Sequence, residues 1–269
     1  MSAKPSAVNS FLLPIFTLAQ RELVRFFRQR NRVVGALAQP LIFWVLFGAA
    51  FTETFKPPPA FEGMSYREYF FPGTIVMILL FTAIFSTISI IEDRREGFLQ
   101  SVLVAPVSRL SMVLGKILGG TLLAVLQGLL FLFIGWLSGI PLSPGVLLAV
   151  IGMMFLIGFA LTGLGFLIAW RMDSTQGFHA IMSVFLLPMW LLSGALFPAD
   201  GVPSWLGWIM RLDPLTYGMS AFRHVMYSRE SIPGLPSLGL SLAITAAFAV
   251  ITVGASTLMA GTRSTGDLH

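Results

Sequence analysis

The chain has no cysteine. Disulfides and thiolate-held metals are therefore excluded, and redox chemistry leaves the compartment undecided. Charge is scarce as well. Only 11% of the 269 residues are Asp, Glu, Lys or Arg, against about 25% in a soluble domain. The Gly-x-x-x-x-Gly-Lys-Ser/Thr loop that cradles nucleotide phosphates is missing. Gly115-Lys116-Ile117 imitates only its end: Ile117 replaces the metal-binding hydroxyl, and Leu110 stands where the first glycine belongs. ATP hydrolysis by this chain alone is not expected. No His-Glu-x-x-His occurs, and His179, His224 and His269 are too scattered for a metal site. Ser193-Gly194 is not set in a Gly-x-Ser-x-Gly elbow. Ionisable residues inside the apolar runs, which mark ion-coupled carriers, are essentially missing, and His179, near a span end, is the nearest case. Energy for any transport is then expected to come from another chain.

What is present is apolar. Hydrophobic residues make up 56% of the sequence, and the mean hydropathy is +0.84. Residues 33–52, 69–91, 117–170, 174–199 and 231–262 carry no charged side chain. About 20 apolar residues in a helix cross a hydrocarbon core. The run 117–170 is too long for one crossing and breaks at the turn signal Gly139-Ile140-Pro141-Leu142-Ser143-Pro144-Gly145. The expected architecture is an all-α integral membrane protein forming a single transmembrane domain. Its six spans are expected at about 33–52, 70–91, 112–138, 145–170, 178–198 and 237–261. The runs are apolar throughout, without the alternation of barrel strands. The first run follows a basic block and is span-length, so no cleavable signal peptide is expected.

Lys and Arg set the orientation. Of the 17, twelve fall in the arm before the first span, the loop between the second and third spans, the loop after the fourth, and the tail. Five (Lys56, Arg67, Arg211, Arg223 and Arg229) fall on the other side. The positive-inside rule then places both termini in the cytoplasm. The basic balance is a membrane-surface signature, not a nucleic-acid one. In 11–32, Leu12, Phe16, Ala19, Leu23 and Phe26 share one face, while Arg21, Arg25, Arg28 and Arg32 share another. This pattern predicts an amphipathic helix in the cytoplasmic interface, its Arg face toward anionic lipid. The bland alternative is a plain basic flank.

The loop 92–109 is the most specific segment. It begins Glu92-Asp93-Arg94-Arg95-Glu96-Gly97. A short amphipathic helix follows, with Phe98 and Val102, and Leu99 and Leu103, at four-residue spacing. Pro106 ends it. An exposed apolar face on so short a helix calls for a partner, unless the helix lies flat on lipid. In 199–230, Trp205, Leu206, Trp208, Ile209 and Met210 lie between Pro203 and Pro214. That stretch cannot span a bilayer and suits an interfacial or re-entrant element, serving as gate or as cap.

The loop 92–109 resembles the acidic-residue, glycine and Leu-Leu-Val-Thr-Pro-Val-Ser-Arg loop of type-2 ABC exporter permeases. Leu192-Ser193-Gly194-Ala195-Leu196-Phe197-Pro198 and Asp213-Pro214-Leu215-Thr216-Tyr217-Gly218 resemble that family's Ser-Gly…Phe-Pro and Asn-Pro-Leu-Thr-Tyr stretches, with Asp213 in place of the usual Asn. The branch includes daunorubicin-resistance and nodulation lipo-oligosaccharide permeases. The resemblance implies a homodimer in the bacterial cytoplasmic membrane, with two copies of a separate ATP-binding cassette subunit that carries ATP and Mg. No cofactor is expected in this chain. It further implies a coupling role for Glu92, Asp93, Arg94, Arg95, Glu96, Phe98 and Leu99, and short external helices bearing Trp205, Trp208, Asp213 and Tyr217. A cargo path along the first, second and fifth spans would have hydrogen-bonding groups in Gln39, Thr82, Ser86, Thr87, Ser89 and Ser193. The expected function is export of an amphipathic, drug-like or lipid-linked substrate. The alternatives are a polysaccharide or glycolipid exporter of the same family, a secondary carrier, or a non-transporting assembly subunit.

Overall fold

The computed structural model describes residues 7–28, 30–55, 57–140, 143–198, 202–229 and 232–262. Among them every regular element is helical, and no strand occurs. In chain order the helices are α1 (Ala7–Arg28), α2 (Arg30–Ala50), α3 (Tyr66–Ser86), α4 (Ile88–Arg95), α5 (Phe98–Val104), α6 (Arg109–Leu137), α7 (Pro144–Trp170), α8 (Thr175–Trp190), α9 (Ser204–Leu212), α10 (Pro214–Met226) and α11 (Leu238–Thr262).

The helix starts are locally encoded. Ser65 and Glu68 form a reciprocal capping box at α3, with Glu68 Oε2 accepting the Ser65 N–H at 2.8 Å. Ser108 Oγ accepts the Ser111 N–H at 3.0 Å and starts α6. Pro144 opens α7, where its missing N–H costs nothing. Each cap satisfies a donor that no earlier helical carbonyl can reach.

Five stretches among the described residues are long and apolar enough to cross a membrane: Tyr66–Arg95, Arg109–Leu137, Pro144–Trp170, Thr175–Ala195 and Leu238–Gly261. The first expected span, 33–52, falls on α2, whose apolar portion Leu37–Ala50 is shorter than a crossing helix. The stretch that holds the second expected span, 70–91, is longer than the charge-free run 69–91. α3 and α4 follow one another with a bend at Thr87, so Glu92 to Arg95 are helical residues at the end of a 30-residue stretch. The fourth stretch, Thr175–Ala195, departs from α-geometry at Leu191–Ala195, where Gly194 has φ 80°. A side chain in that left-handed conformation would be strained, so Gly194 allows the chain to turn there.

α3 is the central helix. Tyr69 to Leu80 are all buried, and α3 packs against α2, α6, α7 and α10. α11 packs on α7 and α10 and leaves Val250, Ile251 and Leu258 exposed, as a lipid-facing helix does. α1 lies along α6. Its buried stripe is Ile15, Leu18, Ala19 and Glu22, while Leu12 and Phe16 remain exposed. The expected lipid-facing stripe is therefore only part of the helix surface: the stripe that includes Ala19 meets protein. Two glycines permit this. A Cβ on Gly115 would lie 2.9 Å from Leu18 Cβ, and one on Gly119 would lie 2.7 Å from Glu22 Cβ.

Candidate functional site

The C-terminal end of α4 is a charge cluster. Asp93 is fully buried. Its carboxylate accepts two hydrogen bonds from Arg21, at 2.9 and 2.7 Å, and one from Arg25 Nη1 at 2.7 Å. Lys116 Nζ donates to both Asp93 and Glu22. Arg25 Nη2 donates to Glu92 at 2.8 Å and more loosely to Glu96 at 3.4 Å. Buried charges persist only when paired and hydrogen-bonded, and this cluster pairs cations from α1 and α6 with carboxylates from α1 and α4. The expectation that ionisable groups are missing from the spans is corrected here. Asp93 and Lys116 sit within the stretches Tyr66–Arg95 and Arg109–Leu137, each beyond the charge-free run that marked its span.

The neighbouring arginines grip α7. Arg94 donates to Trp170 O at 2.5 Å, Met172 O at 3.0 Å and Asp173 Oδ1 at 2.9 Å. Arg95 donates twice to Asp173 O, at 3.2 and 2.7 Å. Cations at a helix C-terminus satisfy carbonyls left without helical donors and oppose the dipole. α5 then hangs below α4, with Leu99 and Leu103 buried. Phe98, on the helix face expected to call for a partner, meets one within the chain: the Arg21 guanidinium lies 3.7 Å from its ring centroid. Of the expected coupling residues, Arg95 and Glu96 are exposed, and Val104 at the far end of α5 is 72% exposed.

Above the cluster lies a cavity of about 330 Å³. Gln39, Thr82, Ser86 and Ser89, four of the six expected path residues, line it together with Phe26, Phe81, Phe85 and His179. α1, α2, α3, α4, α6 and α8 thus meet there. Thr82 also donates to Gln127 of α6. Thr87 and Ser193 are elsewhere. Thr87 Oγ1 donates to Ile84 O at 2.6 Å, and Ser193 Oγ donates to Trp190 O at 2.7 Å. Both bond their own helix backbone, the common fate of such hydroxyls in membranes.

At the other end of the spans, α9 and α10 differ. α9 exposes Trp205, Trp208 and Leu212. α10 is buried among α3, α7 and α11, so half of the expected external segment belongs to the core. Asp213 joins them. Its Oδ1 accepts the Leu215 N–H at 2.8 Å and caps α10, while the buried Oδ2 has no hydrogen-bond partner among the described residues. Burial pushes this carboxyl up to about 7, against the opposing pull of the Leu215 bond. Tyr217 is half-buried and donates to Arg211 O at 2.9 Å. The expectation placed Arg223 in an external loop. The structure buries it in α10, where it donates to the Tyr69 hydroxyl at 3.0 Å and lies 4.1 Å from that ring's centroid. Its spacing from Pro214 carried no signal of this, because the partner sits 154 residues earlier.

Residues 14–227 match the model of the ABC-2 type transporter family. The transport permease ycf38 of Cyanophora paradoxa is 32% identical over 234 residues, covering 85% of this chain and 79% of the relative. The nodulation protein J of Sinorhizobium fredii is 27% identical over 216 residues, 80% of this chain and 79% of its own. The daunorubicin resistance ABC transporter permease protein DrrB1 of Streptomyces coeruleorubidus is 22% identical over 260 residues, 93% of this chain and 85% of its own.

Proposed function

The chain belongs to the ABC-2 type transporter family, and on that premise we propose that this membrane transport permease works as the spanning subunit of an ATP-driven exporter. Two copies of the chain form the channel, and two copies of an ATP-binding cassette subunit bind beneath them. ATP and Mg are held on that subunit. Each permease contributes six spans, α2 being the first. Both termini face the cytoplasm, and the host membrane is the bacterial cytoplasmic membrane. The cargo is an amphipathic, drug-like or lipid-linked molecule that leaves the cytoplasm or inner leaflet.

The observation that supports coupling most is the suspension of α5. It hangs from α4, which is fixed to α1 and α6 through Asp93 and to α7 through Arg94. A push on α5 by a closing ATP-binding subunit then reaches the second, third and fourth spans together. Of the expected coupling residues, Asp93, Arg94, Phe98 and Leu99 transmit the push inside the chain. Glu96 and the end of α5 meet the partner. At the outer end, Trp205 and Trp208 anchor α9 in the interface, while Asp213 and Tyr217 fix the join to α10.

Val104→Asp and Glu96→Lys test this, because both residues are exposed and Glu96 gives up only the loose 3.4 Å bond from Arg25. Expected are normal membrane insertion, loss of ATP-binding subunit from a pull-down, and loss of ATP-dependent export. Unchanged association and export in both variants would show that α5 rests on lipid and that the coupling assignment is wrong.

A further inference from the structure

We infer that the cavity beside α1 receives a protonated amine carried on a ring-bearing amphiphile, with Glu22 as its counter-charge. The use of this site in export rests on the transport reading above; the binding itself does not.

Glu22 is 4% exposed and forms part of the cavity wall. Its Oε1 takes the hydrogen bonds from Lys116 and, at 3.4 Å, from Arg21. Oε2 receives none from the described residues. A carboxylate oxygen in that condition, on a residue of the cavity wall, is an acceptor that favours a cationic donor, since charge-assisted bonds are the strong ones. Arg25 is the other charged wall residue, and its guanidinium is directed to Asp93, Glu92 and Glu96. An anionic head would have to displace three carboxylates from Arg25 and lie against Glu22. A protonated amine lies near Arg25 as well, but it can bond Oε2 while Lys116 and Arg21 keep Oε1.

The rest of the wall suits the body that carries the amine. Phe81 and Phe85 stack at 5.7 Å, and Phe85 meets His179 at 5.2 Å. Aromatic faces attract both rings and cations. Thr82 and Ser86 supply hydroxyls on the same wall. At about 330 Å³ the cavity accommodates a small drug-sized molecule, not a long glycan. The amine end is oriented toward the cytoplasmic charge cluster, and the rings toward the interior of the spans.

The test uses the purified permease alone, in nanodiscs of phosphatidylcholine. The probes are rhodamine 6G, a cation, and sulforhodamine B, an anionic dye with the same ring system. Fluorescence anisotropy should show saturable binding of the first and not of the second. Glu22→Gln should weaken rhodamine 6G by at least about tenfold, the loss of one charge-assisted bond. Glu22 also holds Lys116, so a second measurement leaves it intact. Ser86→Cys in this cysteine-free chain should react with a maleimide more slowly when rhodamine 6G is saturating, and at an unchanged rate with sulforhodamine B. Undiminished binding in Glu22→Gln, or no protection of the Ser86→Cys thiol by rhodamine 6G, would overturn the inference. Saturable binding without ATP-driven export would sink the transporter reading alone. Export without Glu22-dependent binding would sink this inference alone.

Discussion

Asp213 caps α10 from a place that favours its neutral form. Its carboxyl titrates near 7 in the folded chain and near 3.8 when unfolded. Below pH 4 both states hold the proton, and the residue costs nothing. As pH rises from 4 to 7 the unfolded chain releases it first, so stability falls; above 7 the full cost is present. Asn offers the same acceptor to the Leu215 N–H without a charge, and the Asn-Pro-Leu-Thr-Tyr stretch that this segment resembles has Asn there. Asp213→Asn should therefore raise Tm at pH 8, with the gain shrinking toward zero at pH 4. Thermal melts across that range check it, and an equal Tm difference at both ends would contradict the buried, neutral-seeking carboxyl.

Among the elements, α1 makes the contact least foreseen. Its approach to α6 depends on the absence of side chains at Gly115 and Gly119. Gly119→Val would drive a branched side chain into Glu22 and Ala19, forcing the helices apart at a cost of about 1–3 kcal/mol. The expected result is a lower Tm, faster protease cleavage within 7–28, and reduced export, while the chain still inserts. An unchanged cleavage rate would mean that α1 docks by other contacts. The long helices were legible because uniform hydropathy over 20 residues is a local property, and Pro106 marked the end of α5 for the same reason. The bend at Thr87 was not legible, nor was the helical continuation through Arg95. Charged residues end a hydropathy run whether or not they end a helix. The charge cluster was hidden more deeply. Asp93 meets Arg21 across 72 residues and Lys116 across 23, and no periodicity within either segment records such a meeting. The four polar cavity residues were foreseeable as hydroxyl and amide groups on apolar helices, but Glu22 was not. It lies on a face that the sequence pattern assigned to neither lipid nor protein.

For the whole molecule, topology is the property on which the functional reading depends. In the proposed topology twelve of the 17 basic residues lie on one side, which the positive-inside rule would make cytoplasmic. Single cysteines at Glu62, Ser204 and Ser101, all exposed positions, can report it, because the chain has no other thiol. In intact cells an impermeant maleimide should label Glu62→Cys and Ser204→Cys but leave Ser101→Cys untouched until the membrane is opened. The reverse pattern would invert the molecule and place α5 out of reach of any cytoplasmic partner.

The cluster around Asp93 also bears on how the chain is made. Ribosomes deliver residues in order, and Arg21, Arg25 and Glu22 emerge before Asp93, which emerges before Lys116. The carboxylate of Asp93 therefore reaches the bilayer with its arginines already synthesised and waiting at the surface. Lys116 follows into a site where two carboxylates stand ready. No nascent intermediate has to carry an uncompensated charge into hydrocarbon, provided the amino-terminal helix stays at the water boundary until the third span arrives. Its amphipathic surface, with Leu12 and Phe16 still exposed after folding, is suited to that interval. The helix that braces α6 in the folded chain is thus synthesised before every segment it braces.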